Sequence, residues 1–92
     1  MSNDILDDDD EKGSNKPDNE KLAVRNMMVN YNGRKLLWDY LESCGVFSNI
    51  FDKDPIQHSY NAGRRAAALQ LESKLKGYEP DYYVKMIKEN IQ

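Results

Sequence analysis

Leu37, Leu41 and Cys44 stand at spacings of four and then three, with Leu36 and Tyr40 beside them and Gly45 directly after. Residues three and four apart share one face of a helix, so this wide apolar stripe specifies an amphipathic helix over 33–44. Gly45 sits where a helix-ending residue takes a left-handed conformation. The same helical spacing recurs from Glu20 onward, and no segment alternates at the period of two that a half-buried strand requires. The expected fold is therefore all-α: a compact bundle of three main helices plus a short amphipathic helix over residues 21–92. A disordered acidic N-terminal arm over residues 1–20 precedes it.

Before the central stripe, "EKLAVRNMMVNY" gathers Leu22, Met28 and Tyr31 near one face with Ala23, Val24 and Met27, and Asn32-Gly33 is expected to interrupt the helix. The link "VFSNIFDKDPIQH" holds Val46, Phe47, Ile50 and Phe51, and this apolar content predicts that it folds back over the core. A third helix is expected to start between Pro55 and Tyr60 and to run to Lys76 with Gly77 as its stop. The last opens at Pro80 and Asp81, residues suited to a first helical turn. Its stripe is Tyr83, Met86, Ile87, Asn90 and Ile91. The predicted core centres on Leu37, Leu41, Cys44, Phe47, Phe51, Ala67, Leu71, Leu75, Tyr83 and Ile87. Trp38 is placed either at the margin of that core or as an anchor for a partner.

The formal net charge of −3 hides a division within the 92 residues. Residues 1–20 hold eight acids against two lysines, a net of −6, while residues 21–92 hold eleven bases against eight acids, a net of +3. Apart from Ile5 and Leu6 the first segment offers almost nothing to bury, which is why it is read as disordered. Asp7, Asp8, Asp9, Asp10 and Glu11 form a candidate electrostatic arm, whose plain reading is a solubilising tail. The sharper reading is a hook for a basic partner, or a screen over the domain's own bases. "MSNDILDDDD" is acidic where a secretory leader carries positive charge, so no leader is expected. No apolar run approaches the length of a membrane span, and no membrane association is expected.

Catalytic chemistry finds little support. One histidine and one cysteine cannot supply the usual tetrahedral zinc set. The five glycines are dispersed rather than gathered into a phosphate-cradling loop, and the acidic run lacks the ligand alternation of a calcium loop. Cys44 and His58 are the one conceivable nucleophile and base, but Cys44 falls on the apolar stripe, where a small buried thiol is the ordinary outcome. His58 lies in the polar link, expected to be exposed or to aid the helix start. No enzyme, cofactor or metal is expected. The bases from Arg34 to Lys88 are interleaved with acids, so direct nucleic-acid binding is not expected either.

"GRKLLWDYLESCGVF", "YNAGRRAAALQL" and "EPDYYVKMIKE" together resemble the Bordetella-phage-type family of small helical proteins from short-tailed bacteriophages. The resemblance covers about residues 31–89 and rests on Gly33, Arg34, Leu36, Leu37, Trp38, Leu41, Cys44, Gly45, Val46, Phe47, Gly63, Arg64, Arg65, Leu71, Pro80, Tyr83 and Met86. It departs at Ala66-Ala67-Ala68, where the family often has a bulky residue. It implies a non-catalytic bacteriophage structural or morphogenesis protein, virion-associated and acting through protein–protein contacts. Its partners would be phage virion proteins or a host protein, with a homo-oligomer as a further possibility. It would reside in the bacterial host cytoplasm during infection, or in the virion. The alternative is a small phage effector that inhibits a host protein, with the acidic arm mimicking nucleic acid.

Four residues stand out as candidate structural or partner contacts: Arg34, Trp38, Arg64 and Arg65. Gly63 and the alanines after Arg65 offer little bulk, so a neighbouring helix is expected to approach closely there. Arg64, on the side of Leu71, is expected to be a buried or semi-buried tie to a carboxylate such as Asp39 or to a helix-end carbonyl. Arg65, about a quarter turn away, is expected to face solvent or a partner.

Overall fold

A computed structural model describes residues 16–91, with side chains from 18 onward. These residues form four helices and no strand: α1 (Lys16–Met28), α2 (Tyr31–Ser43), α3 (Pro55–Tyr78) and α4 (Pro80–Asn90). The all-α expectation holds. Helix α1 begins earlier than its apolar pattern indicates, reaching into the stretch assigned to the arm. The candidate arm residues Asp7 to Glu11 lie outside the described residues.

The helix boundaries follow capping chemistry more closely than glycine positions. The break between α1 and α2 falls at Val29–Asn30, not at Asn32–Gly33. Asn30 adopts an extended conformation, and its side chain accepts a hydrogen bond from the Gly33 N–H at 2.7 Å. That bond satisfies one of the first-turn donors a helix leaves unpaired. At the other end of α2, Gly45 takes φ +79. Its N–H donates to Glu42 and that of Val46 to Leu41, at 3.0 and 3.1 Å, which is the Schellman closure. Val46 and Leu41 are both buried, supplying the apolar contact that accompanies this closure.

Helix α3 starts at Pro55 behind Asp54, whose side chain accepts from the Ile56 N–H. It passes through Gly77 and ends one residue later, because the stop is imposed by Pro80 rather than by glycine. Proline lacks the N–H that would continue the ladder and drives the preceding residue out of helical conformation. Glu79 accordingly sits at φ −136, ψ 66 as the single residue between α3 and α4.

Each helix contributes residues at helical spacing to one core: Val24 and Met28, Trp38 and Leu41, Ala68 and Leu75, Tyr83 and Met86. Cys44 and Val46 complete it. Leu37, Leu71 and Ile87 pack against it from partly buried positions. Three predicted core residues do not belong there. Phe51 and Ala67 are exposed, and Phe47, 40% exposed, lies flat on Trp38 with centroids 4.5 Å apart. In the alanine run it is Ala68 that faces inward, a 100° turn from Ala67. In α1 the inward side is that of Val24 and Met28, which leaves Leu22 exposed; Tyr31, expected on the same helix, instead opens α2 and is exposed too.

Candidate functional site

The first candidate, Arg34, is buried at the start of α2 and fastens three elements. Its Nε and Nη2 donate to the two carboxylate oxygens of Glu89 in α4, at 2.9 and 2.7 Å. Its Nη1 donates to the Met28 carbonyl at 2.9 Å, capping the last residue of α1. The planar guanidinium makes this bidentate geometry possible, and a lysine could not reproduce it. These bonds hold the Glu89 carboxyl below the usual carboxylate range. Gly33 allows the elbow itself, since a Cβ there would lie 2.0 Å from the Met27 carbonyl oxygen.

At the far end of α2 the two adjacent arginines divide the work in the opposite sense to expectation. Arg65, half-buried, donates from Nε to the Gly45 carbonyl at 3.0 Å and from Nη2 to the Val46 carbonyl at 3.4 Å. It thereby ties the Schellman turn of α2 to α3. Arg64 is exposed, resting over the Tyr60 ring at 5.8 Å with Nη2 3.8 Å from the Cys44 sulfur. No described carboxylate pairs with it, and Asp39, its expected partner, instead pairs with Lys35 at 3.1 Å. Gly63 is not a point of close approach: a Cβ there would meet nothing within 4 Å.

Cys44 is a buried thiol enclosed by Ser43, Arg64 and Tyr40. Its hydrogen bond raises the Tyr40 phenol above its ordinary pKa. His58 shares no hydrogen bond with Cys44. Its Nδ1 accepts from the Asp52 N–H and its ring meets Phe51, so it braces the approach to α3. Trp38 is buried at 7% exposure beneath Phe47, which leaves its indole little free surface for a partner.

Sequence reasoning missed a set of acidic side chains that join elements far apart in the chain. Glu72 is buried and accepts a short hydrogen bond from the Tyr83 hydroxyl; burial, then this bond, pushes the Tyr83 phenol well up. Glu79 meets Arg25 at 3.4 Å, and Glu20 holds both Lys74 and Tyr78, at 2.5 and 2.8 Å. Nothing local marks them, since their partners lie up to 58 residues away. Among the described residues no group of three or more His, Cys, Asp or Glu side chains is placed to hold a metal ion. No helix there is long and apolar enough to cross a membrane.

The described residues thus define a four-helix protein whose conspicuous arginines fasten helix ends or lie against aromatic surface. The chain belongs to the family of Bbp19-like phage proteins, whose sequence model matches residues 18–88. This bears out the resemblance carried by the Gly-Arg, Cys-Gly-Val-Phe and Gly-Arg-Arg motifs. No curated protein and no solved structure matches the chain.

Proposed function

We propose that this phage protein is a non-catalytic morphogenesis component that works by docking on virion proteins. The observation that carries the reading is the exposed apolar surface around the α2–α3 connection. Phe51 is 68% and Ile56 81% exposed, with Tyr60, also exposed, one turn beyond Ile56. Large apolar groups left in water just before and along the first turns of α3, with Arg64 over the Tyr60 ring, have the composition of a protein-contact surface. The polar groups nearby are engaged in caps and braces rather than arranged around a reacting atom.

Mass spectrometry of purified particles and assembly intermediates tests this. The protein is expected in one or both, and a Phe51→Asp, Ile56→Asp variant is expected to fold but to be lost from them. Absence of the wild-type protein from particles and every intermediate would sink the reading. A second reading, inhibition of a host protein through nucleic-acid mimicry, draws on the first fifteen residues, where six acids face one lysine. It predicts capture of a nucleic-acid-binding host protein by the full chain but not by one with those acids neutralised.

A further inference from the structure

The side of α3 turned away from the core carries Gly63, Ala66, Gln70, Ser73 and Gly77, spaced three, four, three and four apart, all of them exposed. An open groove of about 710 Å³ runs along it, lined by Ala66, Gln70, Ser73, Lys74 and Gly77 among others. A Cβ at Gly63 or Gly77 would meet nothing within 4 Å, so the described residues give neither glycine a steric reason. Interior helix glycines are destabilising relative to alanine.

Charge indicates what covers this face. Helix α3 holds four bases, Arg64, Arg65, Lys74 and Lys76, against one acid, Glu72, which pairs with Lys76; of the four, Lys74 lines the groove and pairs there with Glu20. Residues 1–15 hold six acids and one lysine, a net of −5, with the apolar pair Ile5-Leu6 among them. The exit point is fixed as well. In α1, one turn after Lys16, Glu20 is bonded to Lys74 and Tyr78, both of which line the groove. Ten extended residues from Lys16 back to Leu6 span about 33–36 Å. The helix from Gly63 to Gly77 is about 21 Å long, within that reach.

We propose that the outer face of α3 is the docking surface for the acidic N-terminal segment of the same chain, with Ile5 and Leu6 on the small-residue seam and the aspartates beside the α3 bases. The test is NMR on the full chain, following amide signals at low and high salt. A nitroxide at Ser2→Cys in a Cys44→Ser background adds a distance readout. Signals of Gly63, Ala66, Gln70, Ser73 and Gly77 are expected to broaden selectively at low salt. High salt, or Asp7→Asn, Asp8→Asn, Asp9→Asn, Asp10→Asn and Glu11→Gln together, should relieve the broadening, because the attraction is screened or removed. The unlabelled wild-type chain should show salt-dependent shifts at the same amides. Broadening spread evenly over α2 and α4, or none, would overturn the proposal. So would broadening seen only between separately labelled chains, which would assign the face to a neighbour's segment.

Discussion

At the two ends of α2, glycine and arginine occur together for internal reasons. Gly33 lets the α1–α2 elbow close and Arg34 locks it to α4, while Gly45 turns the chain and Arg65 grips that turn from α3. On the outer side of α3, Gly63 and Arg64 look like the same device, but the glycine touches nothing and the arginine lies at the surface. One motif type therefore serves two purposes, and substitutions should separate them by sign as well as size.

The largest effect is expected at Arg34. Arg34→Met leaves Glu89 without its charge partner and the Met28 carbonyl uncapped, and breaking a buried pair in this one-sided way costs about 3–5 kcal/mol. Urea unfolding measures it; a loss no larger than that of Arg64→Ala would remove the distinction between the ends of α2 and the outer side of α3. The pair also fixes a pH dependence. Because the folded pKa of Glu89 lies below its unfolded value, its contribution is present above the ordinary carboxylate range and is lost as pH falls through the folded pKa. Glu89→Gln should be less stable at neutral pH and should lose less on acidification.

Next come the glycines of α2. Gly33→Ala forces a methyl against backbone, and Gly45→Ala places a side chain at positive φ with Ile50 Cγ2 2.4 Å from the new Cβ. Each is expected to cost about 1–3 kcal/mol by thermal or urea unfolding, the gain in helix propensity at Gly33 being too small to offset the clash.

The adjacent arginines sharpen the comparison further. Arg65→Ala removes two hydrogen bonds to the α2 turn from a half-buried site and should cost about 1–2 kcal/mol. Arg64→Ala, at the surface, should stay within about 0.5 kcal/mol. Equal melting temperatures for the two variants would break the division of roles.

What could be read in the sequence was what local chemistry writes there. The Leu37, Leu41, Cys44 stripe and the Gly45 stop are short-range signals, and both appear in the structure as read. The arginine roles were not legible. Arg34 finds Glu89 55 residues away and Arg65 finds the Gly45 carbonyl 20 residues away, pairings that spacing along one helix does not encode. The alanine run failed for a different reason: three identical small residues give no contrast, so periodicity cannot choose which one faces in. Gly77 misled because proline three residues later was the stronger stop.

The one expected gain in stability bears most directly on the open side of the comparison. Gly63→Ala and Gly77→Ala add a methyl where nothing described lies within 4 Å, so each should stabilise α3 by about 0.5–1 kcal/mol through helix propensity and reduced unfolded-state freedom. That gain should appear in full at high salt, where attraction between the acidic N-terminal residues and the α3 bases is screened. At low salt a segment seated on the seam would meet the new methyls, and the gain should shrink. Urea unfolding of both variants at the two salt concentrations separates the cases. A gain independent of salt leaves the glycines without a covering partner, whereas a loss at both would mean that α3 approaches another element at these positions.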